Sequence, residues 1–211
     1  IMKLQEEGQL KLDDKVFGPT GIINTPSLLP YKDKRLTSIT VRHLLQHAGG
    51  WTQSGGDPMF SNLTVANRLG MKMPVEADDM LRYVTSRKLN FTPGSRSYYS
   101  NLGYFVLGRV IEEASGKEME AYIKEHVLEP IGITDMHVGR NLYAEAYPHE
   151  VRYYEPKGSE LKHSVDGANE MVPKVYGGND VTLLGAAGGW VGSAVDMLRL
   201  VEAVNVNNEG V

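Results

Sequence analysis

The chain has 211 residues, 41% hydrophobic and 23% charged, with a formal net charge of −4 and no cysteine. That size suits one large domain or two small ones, and the weak acidity gives no electrostatic reason to bind nucleic acid or an anionic membrane. The missing cysteines exclude disulfides, thiolate nucleophiles and cysteine-based metal sites, and no apolar run is long enough to span a bilayer.

Residues 1–8 read as the end of a helix, with Ile1 and Leu4 three apart and Gly8 as the stop. Pro19, Gly21, Pro26 and Pro30 make 18–38 irregular. Thr40 is a good N-cap for a short helix through His47, with Val41, Leu44 and Leu45 on one face. The stretch 52–74 is rich in Gly, Asn, Ser and Pro and reads as a long surface loop. A helix follows over 76–87, with Met80, Leu81 and Val84 as its buried stripe and Asp78 and Asp79 near its start.

The strongest helical pattern runs from Asn101 to Ser115. Tyr104, Leu107, Val110, Ile111 and Ala114 repeat at helical spacing, and Gly116 sits just past the end. Another helix spans 118–128 and stops before Pro130. Alternation at Val151 and Tyr153 around the turn residues 156–159 suggests a hairpin over 150–165. Residues 166–189 are Gly-rich. The last helix starts near Ser193 with a capping pattern through Asp196, and residues 205–211 read as a fraying polar end.

Four ordered stretches carry a family resemblance. The first is Leu10 to Asp14. The second is Ile39-Thr40-Val41-Arg42-His43-Leu44-Leu45-Gln46-His47-Ala48-Gly49-Gly50. The third is Pro93-Gly94 through Tyr99-Ser100-Asn101-Leu102-Gly103-Tyr104 to Ser115-Gly116, and the fourth is Ala187-Gly188-Gly189-Trp190 to Asp196. Together they resemble the serine hydrolases of the β-lactamase/penicillin-binding-protein type. That family includes class C β-lactamases, D-alanyl-D-alanine carboxypeptidases and esterases. Stretches 52–74 and 140–180 match only loosely. The fold this resemblance implies is α+β and multi-domain, of the β-lactamase/transpeptidase-like kind. Residues 1–211 would be a single partial domain supplying mostly the helical region.

The resemblance implies acyl transfer through a covalent acyl-enzyme on a peptide, β-lactam or ester substrate. A serine hydroxyl needs a base to take its proton. By the resemblance, Tyr99 is the general acid/base and Asn101 the positioning residue, while Ser100 faces the other way and is structural. The residues alone leave alternatives open: Tyr99 could be a half-buried aromatic packing a loop, and Asn101 could cap the helix that starts there.

The resemblance implies no cofactor or metal, and a periplasmic or secreted location. In family order a Ser-x-x-Lys motif precedes Tyr-x-Asn and a Lys/His-x-Gly strand follows it. Neither is found in those places here. The nucleophile and both oxyanion donors are therefore expected outside this chain, and the chain alone is expected to be inactive. Another reading is a non-catalytic peptide- or cell-wall-binding module. With that surrounding structure gone, one face of 1–8 and of 193–204 should expose apolar surface and favour homo-oligomers.

The one Ser-x-x-Lys string, Ser159 to Lys162, comes after Tyr-x-Asn and beside Pro156 and Gly158, so it reads as a turn. His43 and His47 lie four apart but lack a third ligand, and His47 is expected to interact with the last carbonyls of its helix.

Overall fold

The structure is a computed structural model and describes residues 1–205; the expected fraying end beyond Asn205 lies outside the described residues. Eight α-helices are found among them: α1 (Met2–Glu6), α2 (Val41–Leu45), α3 (Asn62–Leu69), α4 (Ala77–Thr85), α5 (Asn101–Ser115), α6 (Met119–Ile123), α7 (Val181–Leu184) and α8 (Ala194–Val204). Four two-residue strands, β1 (His137–Val138), β2 (Lys162–His163), β3 (Met171–Val172) and β4 (Trp190–Val191), form two small antiparallel pairs. In β1·β4, His137 faces Val191 and Val138 faces Trp190. In β2·β3, Lys162 faces Val172 and His163 faces Met171.

Helix α5 is the centre of the core. The sequence stripe predicts one buried face, but Leu102, Phe105, Val106, Leu107, Val110 and Ile111 are all buried. A helix packed on several sides buries residues beyond a single stripe. It meets α1, α2, α6, α7 and the turn Gly185–Ala187. The approach to that turn is close: a Cβ built on Gly108 would stand 3.0 Å from the Ala186 methyl. Burying each of the large side chains contributes about 1.5–3 kcal/mol.

Several boundaries follow the sequence reading. Thr40 caps α2 by accepting from the His43 N–H. Gly116 ends α5 in a left-handed conformation at φ 68°. Ser193 caps α8 by accepting from the Asp196 N–H.

Two readings are corrected. The stretch 52–74 contains a 3-10 turn at Pro58–Phe60 and the two-turn helix α3. Its buried residues Asn62, Val65 and Ala66 recur at helical spacing, a pattern obscured by the surrounding Gly and Pro. The hairpin expected at 150–165 is displaced. The turn is there, with the Ser159 N–H donating to the Pro156 carbonyl at 3.1 Å, but the paired strands fall at β2 and β3. Val151 and Tyr154 stand in the open instead of packing. Alternation gives a strand only where one face has something to cover.

A polar tie joins the first part of the chain to the last. The Asn62 side-chain amide donates to Asp180 Oδ2 at 3.1 Å, in a buried setting. Lys162 Nζ donates to the Phe60 carbonyl at 3.0 Å.

The two apolar faces fare differently. In α1 Leu4 is fully buried while Met2 is exposed. Helix α8 exposes Val195, Met197, Leu198, Val201 and Val204. No helix among the described residues is long and apolar enough to cross a membrane.

Asp33 is a second tie within the helical body. Its carboxylate accepts from the Leu89 N–H at 3.0 Å and pairs with Arg35, whose Nη2 also donates to the Leu89 carbonyl at 2.9 Å. The Arg35 guanidinium, aided by the Arg35 and Leu89 amides, holds the Asp33 carboxyl well below the usual carboxylate range. An acid depressed on folding adds stability above its unfolded pKa and loses it as pH falls through the folded one. Stability should therefore decline below about pH 4. Asp33→Asn should flatten that decline in a urea-unfolding series taken between neutral and strongly acidic pH. An identical slope in both proteins would refute the assignment.

Candidate active site

The site is built where the end of α2 meets the start of α5. After α2 the chain turns at His47, a non-glycine residue at φ 54°, a left-handed conformation that His adopts more readily than most residues. The following backbone laces against 90–100. The Asn90 N–H donates to the Gly50 carbonyl at 2.8 Å, Gly94 to Ala48 at 2.9 Å and Tyr98 to His47 at 2.9 Å. Gly94 is required there. It sits at φ 78°, and a Cβ would come 2.7 Å from His43 Nε2.

This lacing delivers Tyr99 to the surface on a fixed base. Its side of the site is exposed, at 57% of its full accessibility. The His47 ring lies between two tyrosines, with centroids 4.8 Å from Tyr99 and 4.9 Å from Tyr104. His47 Nδ1 accepts from the Ser100 N–H at 3.3 Å, which places the proton of the neutral ring on Nε2. Tyr104 in turn donates its hydroxyl to the Leu45 carbonyl at 3.2 Å.

Ser100, not Asn101, caps α5: its buried Oγ accepts from the Gly103 N–H at 3.0 Å. Of the two roles open to Asn101, capping is thus taken by its neighbour. Asn101 is the first helical residue, and its side chain is left to face the site. Its Oδ1 accepts from the Tyr99 hydroxyl at 2.9 Å, and its Nδ2 donates to Asp57 Oδ2 at 2.7 Å. Tyr99 and Asn101, singled out from the sequence, are brought together. Asp57 was not anticipated. Preceding Pro58 in a Gly-rich loop, it reads from sequence as a turn residue, and it does cap the 58–60 turn through Oδ1 from the Met59 N–H at 3.0 Å.

The other candidates disperse. His47 turns its imidazole to the Ser100 amide, not to the carbonyls at the end of α2, because its left-handed backbone redirects the side chain. His43 Nδ1 accepts from the Thr40 N–H at 3.3 Å, and burial pushes its pKa down. Among the described residues no group of three His, Asp or Glu side chains is placed to hold a metal ion. The Ser159 hydroxyl donates to the Pro156 carbonyl at 2.8 Å within its turn, while Lys162 Nζ goes to Asn179 Oδ1 at 2.7 Å. Their separate partners leave Ser159 without a base. Trp51 is buried in the core, and Trp190 is partly buried beside it.

The arrangement offers an exposed phenol held by a neighbouring amide on a rigid base, a unit suited to passing a proton between two groups brought against it. Comparison with known proteins identifies the family of the chain. Esterase EstB of Burkholderia gladioli is 28% identical over 98% of this chain, and the match covers 54% of that esterase. A putative D-alanyl-D-alanine carboxypeptidase of Escherichia coli (strain K12) is 29% identical over 64% of this chain and 29% of its own length. The chain thus spans about half or less of the curated relatives it matches. The octameric penicillin-binding protein homologue from Pyrococcus abyssi superposes with a TM-score of 0.56 at 26% identity, covering 95% of this chain and 40% of that one. A class C beta-lactamase in complex with cefoxitin gives a TM-score of 0.57 at 19% identity over 95% of this chain and 46% of that one, a likeness of fold alone. The family model described as Beta-lactamase matches residues 1–211, and the chain belongs to the beta-lactamase family.

Proposed function

We propose that the parent of this chain is a serine hydrolase working through an acyl-enzyme on a peptide, β-lactam or ester substrate, with Tyr99 as its general acid/base and Asn101 as the residue that positions it. The observation that carries this reading is the exposed Tyr99 hydroxyl, held 2.9 Å from Asn101 Oδ1 on a base built from His47, Ser100 and α5. An esterase and a carboxypeptidase among the relatives support the acyl-transfer class.

In this proposal the serine and both oxyanion donors lie outside these 211 residues, and the chain alone does not turn over substrate. Tyr99 relays the serine hydroxyl proton: its oxygen accepts that proton as the serine oxygen bonds to the substrate carbonyl carbon, and the phenol's own proton goes to the leaving group as the scissile bond breaks. Water repeats the sequence to release the acyl group. Asn101 keeps the Tyr99 oxygen in place through both transfers. The same family likeness supports a periplasmic or secreted location for the parent.

Tyr99→Phe in the parent should slow acylation by a small carboxylic ester by about a hundredfold or more. An unchanged rate would remove Tyr99 from the chemistry.

For assembly, the exposed apolar face of α8 supports self-association of this chain, as does the octamer formed by the Pyrococcus homologue. Light scattering coupled to gel filtration should then give a dimer or larger species. Leu198→Glu with Val201→Glu should return it to a monomer. A monodisperse monomer of the unaltered chain would overturn this proposal.

A further inference from the structure

We infer that Asp57 is a positioning residue for the Tyr99–Asn101 pair, setting which end of the Asn101 amide faces Tyr99; its effect on rate rests on the hydrolase reading. A carboxylate can only accept hydrogen bonds. The Asn101 atom 2.7 Å from Asp57 Oδ2 is therefore the nitrogen. That leaves the oxygen for Tyr99, whose hydroxyl at 2.9 Å must donate. With the amide turned over, Tyr99 would face an NH2 group and its hydroxyl would have to accept. The direction of the phenol proton, on which both transfers depend, is thus decided two side chains away.

Asp57 is itself held in place. Its Oδ1 caps the 58–60 turn through the Met59 N–H at 3.0 Å, and the Met59 side chain is fully buried. Pro58 fixes φ at the first position of that turn. Gln53 adds a long contact from Nε2 to Asp57 Oδ2 at 3.4 Å. The carboxylate is thus anchored to the core on one oxygen and aimed at Asn101 with the other. The Gly-rich loop that carries it, the part of the chain where the family likeness is weak, supplies a group that orders the site.

The substitution Asp57→Asn separates this role from the turn cap. It keeps an oxygen for the Met59 N–H but presents NH2 to Asn101 where a carboxylate stood. Two NH2 groups cannot bond, so the Asn101 amide turns over. In this chain labelled with 15N, D57N should shift the Asn101 side-chain amide resonances while the thermal midpoint stays put. In the parent, D57N should slow acylation by a small carboxylic ester about tenfold or more and displace its pH–rate profile.

Unmoved Asn101 resonances, or an acylation rate within about twofold of the original in a parent that does acylate, would overturn Asp57 alone. A parent that never acylates would overturn the hydrolase reading and the kinetic role of Asp57 with it, whatever the resonances do. Should D57N fail to fold, Asn101→Asp tests the same contact. It sets two carboxylates face to face, and one of them should titrate above the ordinary carboxylate range. Two ordinary titrations would refute the contact.

Discussion

A helix buried on several sides cannot leave its first N–H groups waiting for water, and that constraint organises this site. Helix α5 buries six large or β-branched side chains around its circumference, so its first turn must be satisfied by the protein itself. Ser100 meets this need at Gly103, and the Ser100 amide is in turn accepted by His47. Those two bonds fix the backbone after Tyr99, the Tyr98 N–H on the His47 carbonyl fixes it before, and the Asn101 side chain is left free. The polar surface of the site is thus a consequence of how the apolar helix beneath it begins.

The ring of His47 adds rigidity of a different kind. Packed at a tilt against Tyr99 and Tyr104, it ties a surface phenol to a residue of α5 that also holds the end of α2 through Leu45. Helices α2 and α5 and the segment between residues 90 and 100 therefore behave as one support. A phenol on such a support loses little freedom when a substrate arrives, which favours catalysis by positioning.

The helical periods made α2, α4, α5 and α8 legible in the sequence, and the glycine and serine signals placed their ends within a residue or two. Tyr99 and Asn101 were legible only through the family motif, since a phenol and an amide two residues apart carry no chemical signature alone. Asp57 was not legible. Its partner lies 44 positions away, and a loop rich in glycine gives no period from which to infer which way a side chain is aimed. Helix α3 was obscured by its flanking composition, and the hairpin was displaced because local alternation cannot report which neighbouring surface is available. Long-range packing decided each of these, and a single sequence records it only indirectly.

The exposed run from Val151 to Leu161 divides the molecule in a way the core does not. Every residue described around Tyr99, from His47 to Tyr104, precedes it. Past it come β2, β3, α7, β4 and α8, tied back by the buried Asn62–Asp180 bond and by Lys162 on the Phe60 carbonyl. The backbone between them passes a proline–glycine turn and is held by the Tyr153 N–H on the Tyr176 hydroxyl and the Val175 N–H on Glu155. The chain is therefore suited to being supplied as two pieces. A break in that run would separate the half that shapes the phenol site from the half that packs against α5, leaving both halves with the contacts that rejoin them.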